Sequence, residues 1–261
     1  MCLVILASRS HPEYPLVVAA NRDEFFRRGT APAAFWPQQP ALLAGRDLEM
    51  GGTWMGLTRS GRFAAITNFR DPAQTATAPR SRGELTLDYL LAAEGPESWL
   101  ERLAPAASDY AGFNLLLGDG EGLWYATNSA GEGLTRRALE PGIYGLSNAQ
   151  LDTPWPKVIL GKQRLTDALA AAPLDHDRLY PVTADRRLSD PAELRGLGLD
   201  QDMDRLLSAQ FIIGAEHGYG TRSSTTLWLT ADGDAHWREL TYNASGQTVG
   251  RSEETFRISA P

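Results

Sequence analysis

Cys2 is the only cysteine in the chain, and it opens the apolar run Cys2-Leu3-Val4-Ile5-Leu6-Ala7-Ser8. A second apolar run, Leu16-Val17-Val18-Ala19-Ala20, ends in the polar tetrad Asn21-Arg22-Asp23-Glu24. Paired as an antiparallel hairpin, the two runs set the tetrad beside the thiol and, once Met1 is removed, beside a free α-amine. The chemistry such a group supports is nucleophilic. A thiol of ordinary pKa, about 8.5, needs a base or a positive neighbour to act as thiolate at neutral pH. An α-amine, with a pKa of about 7.7–8.0, can be that base from within the same residue, so no histidine is required. Asp23 can hold the ammonium form through a hydrogen bond, and Arg22 can orient an anion or the thiolate. Asn21 and Glu24 complete the tetrad as candidate binding residues. The competing use of a lone cysteine is as a small buried hydrophobe at a strand start.

Two amides extend this chemistry. Asn68 and Asn148 each close an apolar stretch, and each carries an N–H that can meet a developing oxyanion. Arg222 lies in Tyr219-Gly220-Thr221-Arg222-Ser223-Ser224-Thr225, which reads as a polar turn before a strand. Singly, each is an ordinary turn residue; their force depends on convergence. Other chemistries lack their motifs. His11, His176, His217 and His236 show no metal-binding spacing, and no phosphate loop, dinucleotide fingerprint or G-x-S-x-G elbow occurs. The sequence therefore calls for no metal and no cofactor, although a single histidine still suits an axial haem ligand.

Positioning those residues requires a folded core, and the composition supplies one. The 261 residues are 43% hydrophobic and 22% charged, ordinary globular values. A net charge of −7 and a pI near 5.2 argue against nucleic acid or an anionic membrane surface as the main partner. One cysteine forms no internal disulfide, the first apolar run is too short for a signal peptide, and no stretch approaches the roughly 20 apolar residues of a membrane span. A cytoplasmic chain that binds a small molecule is expected.

Residues 2–8 and 16–21 read as buried strands, and a proline-rich loop holding Pro32, Pro37 and Pro40 follows. A hairpin over 51–58 and 63–68 turns at Ser60-Gly61, and a polar loop is expected over 73–83. Helices are expected from Glu84 to Ala93, with Ser81 as a possible cap, and from Pro96. Strands resume at 113–117, 123–127 and 143–147. A helix opens at Pro156 with Val158, Ile159, Leu165 and Leu169 near one face. The proline- and glycine-broken stretch 173–209 suits short helices and loops, and strands return at 211–215, 225–230 and 236–241. Strands at both ends with helices between them indicate an α+β fold, and no linker divides residues 1–261 into separate domains.

The ordered blocks Cys2, Ala20-Asn21-Arg22-Asp23-Glu24, Gly51-Gly52-Thr53-Trp54-Met55-Gly56, Thr67-Asn68-Phe69-Arg70, Ser81-Arg82-Gly83, Gly112-Phe113-Asn114-Leu115, Tyr144-Gly145-Leu146-Ser147-Asn148 and Arg222-Ser223-Ser224 resemble the NRDE family, that of the transport-and-Golgi-organisation protein number two. The matched blocks run from residue 2 to about 225. That family in turn is similar to the N-terminal nucleophile hydrolases, particularly the conjugated bile acid and penicillin V acylases. The resemblance implies a four-layer αββα sandwich. It implies Cys2 as nucleophile, Asp23 as the carboxylate holding the α-amine, Asn68 and Asn148 as oxyanion donors, and Arg222 as the late arginine near the thiol. The Arg22-Asp23 adjacency differs from the acylase spacing of arginine and carboxylate. It further implies either hydrolysis of a linear amide of a small acylated molecule, or non-catalytic carriage of haem or an acyl-coenzyme A in the same pocket.

Overall fold

The structure is a computed structural model and describes residues 2–70, 78–171, 173–195, 197 and 203–259. Its strands, in chain order, are β1 (Cys2–Ser8), β2 (Leu16–Phe25), β3 (Thr30–Trp36), β4 (Gln39–Asp47), β5 (Met55–Thr58), β6 (Phe63–Asn68) and β7 (Phe113–Asp119). These are followed by β8 (Gly122–Thr127), β9 (Thr135–Leu139), β10 (Gly142–Leu146), β11 (Ile213–Gly214), β12 (Tyr219–Leu229), β13 (Asp234–Tyr242) and β14 (Thr248–Arg257). They form two seven-stranded sheets, and each sheet falls in one compact unit apart from the last two residues of β14. One unit takes the chain up to Arg27 with Pro141–Ser147 and Asp152–Thr255; the other takes Arg28–Glu140, Asn148–Leu151 and the chain from Phe256. Each is assembled from separated segments, so neither is a stretch that could be cut out at a linker.

The second unit is an antiparallel meander in sequence order, β3 through β9. Its β5–β6 hairpin turns at Gly61, whose φ of +83° suits a residue without a Cβ. Helices α1 (Gly83–Leu91) and α2 (Pro96–Leu103) lay Leu85, Tyr89, Leu90, Trp99 and Leu100 over the sheet residues Ala64, Ile66, Phe113 and Leu115. Each such fully buried side chain contributes about 1.5–3 kcal/mol. Pro96 occupies the first helical turn as expected. Ser81 does not cap α1: Arg82 is the N-cap, and Ser81 offers only its carbonyl to the Glu84 N–H at 3.2 Å.

Two expectations in this unit are corrected. The proline-rich segment is the β3–β4 hairpin, not a loop. Pro32 is tolerated because β3 is an edge strand whose register breaks between Ala31 and Ala34, and Pro40 falls near the start of β4. Strand β9 was absent from the sequence reading because it is also an edge, with Leu139 its only buried residue. Residues 73–77 of the expected polar loop lie outside the described residues.

In the first unit the strand order is β10-β1-β2-β12-β13-β14, with β11 paired to β12. The runs Leu3–Ala7 and Leu16–Ala20 are buried throughout, as suits strands flanked on both edges. Helix α3 (Pro156–Ala170) packs on β1 and β10. A Cβ on Gly161 would stand 2.6 Å from Ile5 Cγ1, and one on Gly145 would stand 2.5 Å from Val158 Cγ1, so the two glycines set how closely helix and sheet approach. The buried stripe is Val158, Gly161, Leu165, Ala168 and Leu169, while Ile159 is 57% exposed. Gly161 carries no hydrophobic signal, which is why the sequence pattern rotated the face toward Ile159.

The described residues of the stretch 173–209 form short helices and turns, among them α4 (His176–Leu179). The segment 211–215 supplies only the two-residue β11, and Tyr219–Ser224 is the first half of β12 rather than a turn. Strand β14 was also absent from the sequence reading, since exposure alternates along it and Phe256 alone is buried. The result is a mixed α and β fold of two antiparallel sheets, each with helices against it. Among the described residues no helix is long and apolar enough to cross a membrane, and no group of three or more His, Cys, Asp or Glu side chains is placed to hold a metal ion.

Candidate active site

Strand β2 does not end before the tetrad. It runs on to Phe25, so Asn21, Arg22, Asp23 and Glu24 are strand residues that all pair with β12, and Asn21 and Arg22 pair with β1 as well. Asn21, Arg22 and Asp23 are buried, at 2%, 6% and 2% exposure. Alternation along the strand sorts them. Cys2 is the register partner of Arg22, so Cys2, Arg22 and Glu24 share one face, and Asn21 and Asp23 share the other. Arg22 Nη2 lies 3.7 Å from Glu24 Oε2.

Cys2 is half-buried at the head of β1. Burial pushes its thiol up, and the negative Asp23 adds to that; the Arg22 guanidinium and the Asp23 main-chain N–H, which is directed at the sulfur, pull it down. The Cys2 carbonyl accepts the Ser147 hydroxyl at 3.0 Å, which ties β1 to the end of β10. Arg22 is thus the arginine whose field acts on the thiol. Asp23 reaches the sulfur through its backbone, its carboxylate being on the opposite face.

A bulge in β12 completes the face. Thr221 is the register partner of Asp23, whereas Ser224 is the partner of Asn21, so three residue steps on β12 span two on β2. The extra residue lets Thr221 and Ser224 face the same way on either side of Arg222-Ser223. Arg222 Nη1 donates to the carbonyls of Phe25 at 3.0 Å and Phe26 at 3.3 Å, and its guanidinium lies 5.4 Å from the centre of the Phe26 ring. Burial lowers its pKa, and the like charge of Arg22 lowers it further.

The opposite face is a hydrogen-bonded lattice. Asn21 Nδ2 donates to the carbonyls of Thr183 at 2.7 Å and Gln210 at 2.8 Å, while its Oδ1 accepts the Ser224 hydroxyl at 2.6 Å. Asn21 therefore fastens Thr183 and Gln210 to β2. Asp23 Oδ1 accepts the Thr221 hydroxyl at 2.7 Å, and its carbonyl accepts the Tyr219 hydroxyl at 3.0 Å. Burial raises the Asp23 carboxyl pKa above the usual carboxylate range; Lys157, the Thr221 bond and Arg22 act in the opposite sense. The Tyr219 phenol is held far above its ordinary value, first by burial and then by Asp23 and Cys2.

Asn68 and Asn148 belong to the second unit, where they meet each other. Asn148, almost fully buried, donates its Nδ2 to the Asn68 carbonyl at 2.8 Å and accepts the Arg70 N–H on its own carbonyl at 2.7 Å. Asn68 ends β6 with an exposed side chain. The expected residues thus fall into two groups, Cys2 with the tetrad and Arg222 in the first unit and the two amides in the second. Thr221, Tyr219, Lys157 and Ser147 were not read as site residues. The alternation of Tyr219 and Thr221 ahead of Arg222 was their only trace, and it is visible only once that segment is recognised as a strand.

A family model described as Transport and Golgi organisation 2 matches residues 1–244. The chain is similar to the bovine Transport and Golgi organization protein 2 homolog, 33% identical over 95% of each chain. It is also similar to the human homolog, at 32% identity over 95% of this chain and all of that one. Among solved structures it is similar to a Caenorhabditis elegans N-acylethanolamine-hydrolyzing acid amidase ortholog, with a TM-score of 0.53, 10% identity and coverage of 87% and 92% of the two chains. The fold is therefore that of the N-terminal nucleophile hydrolases, and the chain belongs to the Transport and Golgi organisation 2 family.

Proposed function

We propose that the protein is a cysteine-type N-terminal nucleophile amidohydrolase acting on a linear amide of a small acylated molecule. The observation that carries this reading is the placement of Cys2 at the start of β1, in register with buried Arg22 and with the Asp23 N–H at its sulfur. Amide hydrolysis by the amidase of like fold supports the class of reaction. Removal of Met1 gives Cys2 an α-amine, which takes the thiol proton as the sulfur attacks the amide carbon. The carbonyl oxygen becomes an oxyanion. Its collapse expels the amine, which takes the proton from the α-ammonium, and leaves a thioester on Cys2. Water attacks the thioester, the α-amine again relaying the proton, and releases the acid with the thiol restored. Arg22 favours the thiolate, while Arg222 holds the end of β2 by its carbonyls. The test joins the intact mass of the purified chain, the iodoacetamide labelling of Cys2 near neutral pH and hydrolysis of a panel of N-acyl amides. Retained Met1 with an unlabelled Cys2 would sink the reading.

A second reading, carriage of haem or an acyl-coenzyme A without turnover, is favoured by one feature. Phe25 is 44% exposed, with the Arg27 guanidinium 5.3 Å from its ring centre, and Arg222 lies over Phe26. Exposed aromatic surface edged by guanidinium groups suits an apolar ligand with an anionic end. Titration with haemin and with palmitoyl-coenzyme A decides it: affinity unchanged in F25A and R27A variants rejects this patch as the carrier site.

A further inference from the structure

Strand β12 offers Asp23 two hydroxyls at alternate positions, and the two act on different parts of it. Tyr219 holds the main-chain carbonyl and Thr221 holds the carboxylate. The Thr221 hydroxyl is itself oriented: its Oγ1 accepts the Ile212 N–H at 2.8 Å, and its single hydrogen is then directed to Asp23 Oδ1 at 2.7 Å. Its backbone is anchored to the same place, the Thr221 N–H donating to the Ile212 carbonyl at 2.9 Å. Thr221 is 1% exposed, so no water competes for either bond. A hydroxyl is the one small side chain that can accept from an amide and donate to a carboxylate at this spot.

We infer that Thr221 is a positioning residue for Asp23, its hydroxyl holding the buried carboxylate in one rotamer and in its ionised form. This rests on the reading of Cys2 as nucleophile, because an ionised Asp23 is what would hold the α-ammonium at the head of β1. Burial alone drives a carboxyl toward its neutral form, and a donated hydrogen bond opposes that. Threonine to valine keeps the shape and removes the donor; threonine to serine keeps the donor.

The test is a pH titration of the Asp23 side-chain carboxyl by carbon-13 NMR, in full-length protein labelled at aspartate, with the resonance assigned by its loss in D23N. In T221V the Asp23 midpoint is expected to rise by about 1 pH unit, and in T221S to stay within a few tenths of a unit of the wild type. An unchanged midpoint in T221V, or a T221S shift as large as that of T221V, overturns the inference. Should T221V fail to fold, the wild type decides: the Thr221 Cβ resonance is expected to follow the Asp23 titration with the same midpoint, and a flat Thr221 response overturns it. Neither readout needs turnover. A chain without amidase activity whose Asp23 moves in T221V removes the hydrolase reading alone; an active hydrolase whose Asp23 ignores T221V removes the role of Thr221 alone.

Discussion

Both sheets bury polar side chains in their central strands, and they do so at different cost. In the second unit the buried set is neutral and mutually satisfied. Asn114 Nδ2 donates to Thr67 Oγ1 at 3.2 Å and to the Ala149 carbonyl at 2.9 Å, its Oδ1 accepts the Tyr125 hydroxyl at 2.8 Å, and the Thr127 hydroxyl reaches the Phe113 carbonyl at 2.7 Å. Those bonds replace the ones lost to water and fix the strands. In the first unit the buried set carries charge: Arg22 and Asp23, with the Cys2 thiol beside them, and burial shifts both acids upward. A fold gains little stability from ions kept there, and such groups mark sites of chemistry. On the hydrolase reading proposed above, the neutral cluster is scaffold and the charged one serves reactivity.

That contrast is sharpened first by function. C2A is expected to remove alkylation and hydrolysis down to background, while its melting temperature stays within a few degrees of the wild type. D23N is expected to lower hydrolysis severely yet fold as well as the wild type or better. The sign follows from linkage: a carboxyl whose folded pKa is raised binds its proton more tightly when folded, so its stability cost grows as pH climbs above the unfolded carboxylate range, and neutral Asn escapes it. A D23N chain that melts far below the wild type at pH 7 would show the charge to be structural and break the comparison.

N114L reverses the pattern. It removes the acceptor of the Tyr125 hydroxyl and the amide that donates to Thr67 Oγ1 and the Ala149 carbonyl, at a cost of about 3 kcal/mol in urea unfolding, with Cys2 alkylation unaltered in the folded fraction. Next in size is G161A, which presses a methyl group into Ile5 and is expected to cost about 1–3 kcal/mol, while G120A, where a Cβ meets nothing, is expected to unfold near the wild type.

The smallest effect concerns His176, buried in the first unit with Nδ1 2.7 Å from Thr226 Oγ1 and its ring against Trp228. Burial first, then the positive Arg238, pushes its pKa down to about 4. Between about pH 6.5, where the unfolded imidazole titrates, and pH 4, the unfolded chain takes up a proton that the native chain refuses. Wild-type stability should therefore fall relative to H176Q as pH drops through that window. Parallel stability curves for the two proteins from pH 7 to 5 would place the acid sensitivity elsewhere.

How much of this was legible in the sequence depended on the kind of signal. Leu3–Ala7 and Leu16–Ala20 announced themselves because strands buried on both faces are continuously apolar. The α2 and α3 starts were marked by Pro96 and Pro156. Edge strands gave no such mark: β9 and β14 each bury a single hydrophobic residue, and β3 contains Pro32. The tetrad looked like a strand end because polar residues in a central strand run against pattern, and Tyr219–Ser224 was misread for the same reason. Cys2, Arg22 and Asp23 were identifiable from residue type and a hairpin. The partition of the tetrad between two faces was not, because it rests on pairing with β12, and neither was the hold of Thr221 on Asp23.

The hydrogen bond between Thr221 and Asp23 joins residues 198 positions apart. At a synthesis rate of about 5–20 residues per second, the strand that closes over Asp23 is made roughly 10–40 s after Asp23 itself. For that interval the amino terminus travels ahead of its own enclosure, with β1 and β2 lacking their β10 and β12 partners. Any trimming enzyme that removes Met1 meets an open Cys2 during translation and a half-buried Cys2 afterwards. On the proposed reading, maturation of the thiol and completion of the sheet would be ordered in time by where β12 lies in the chain.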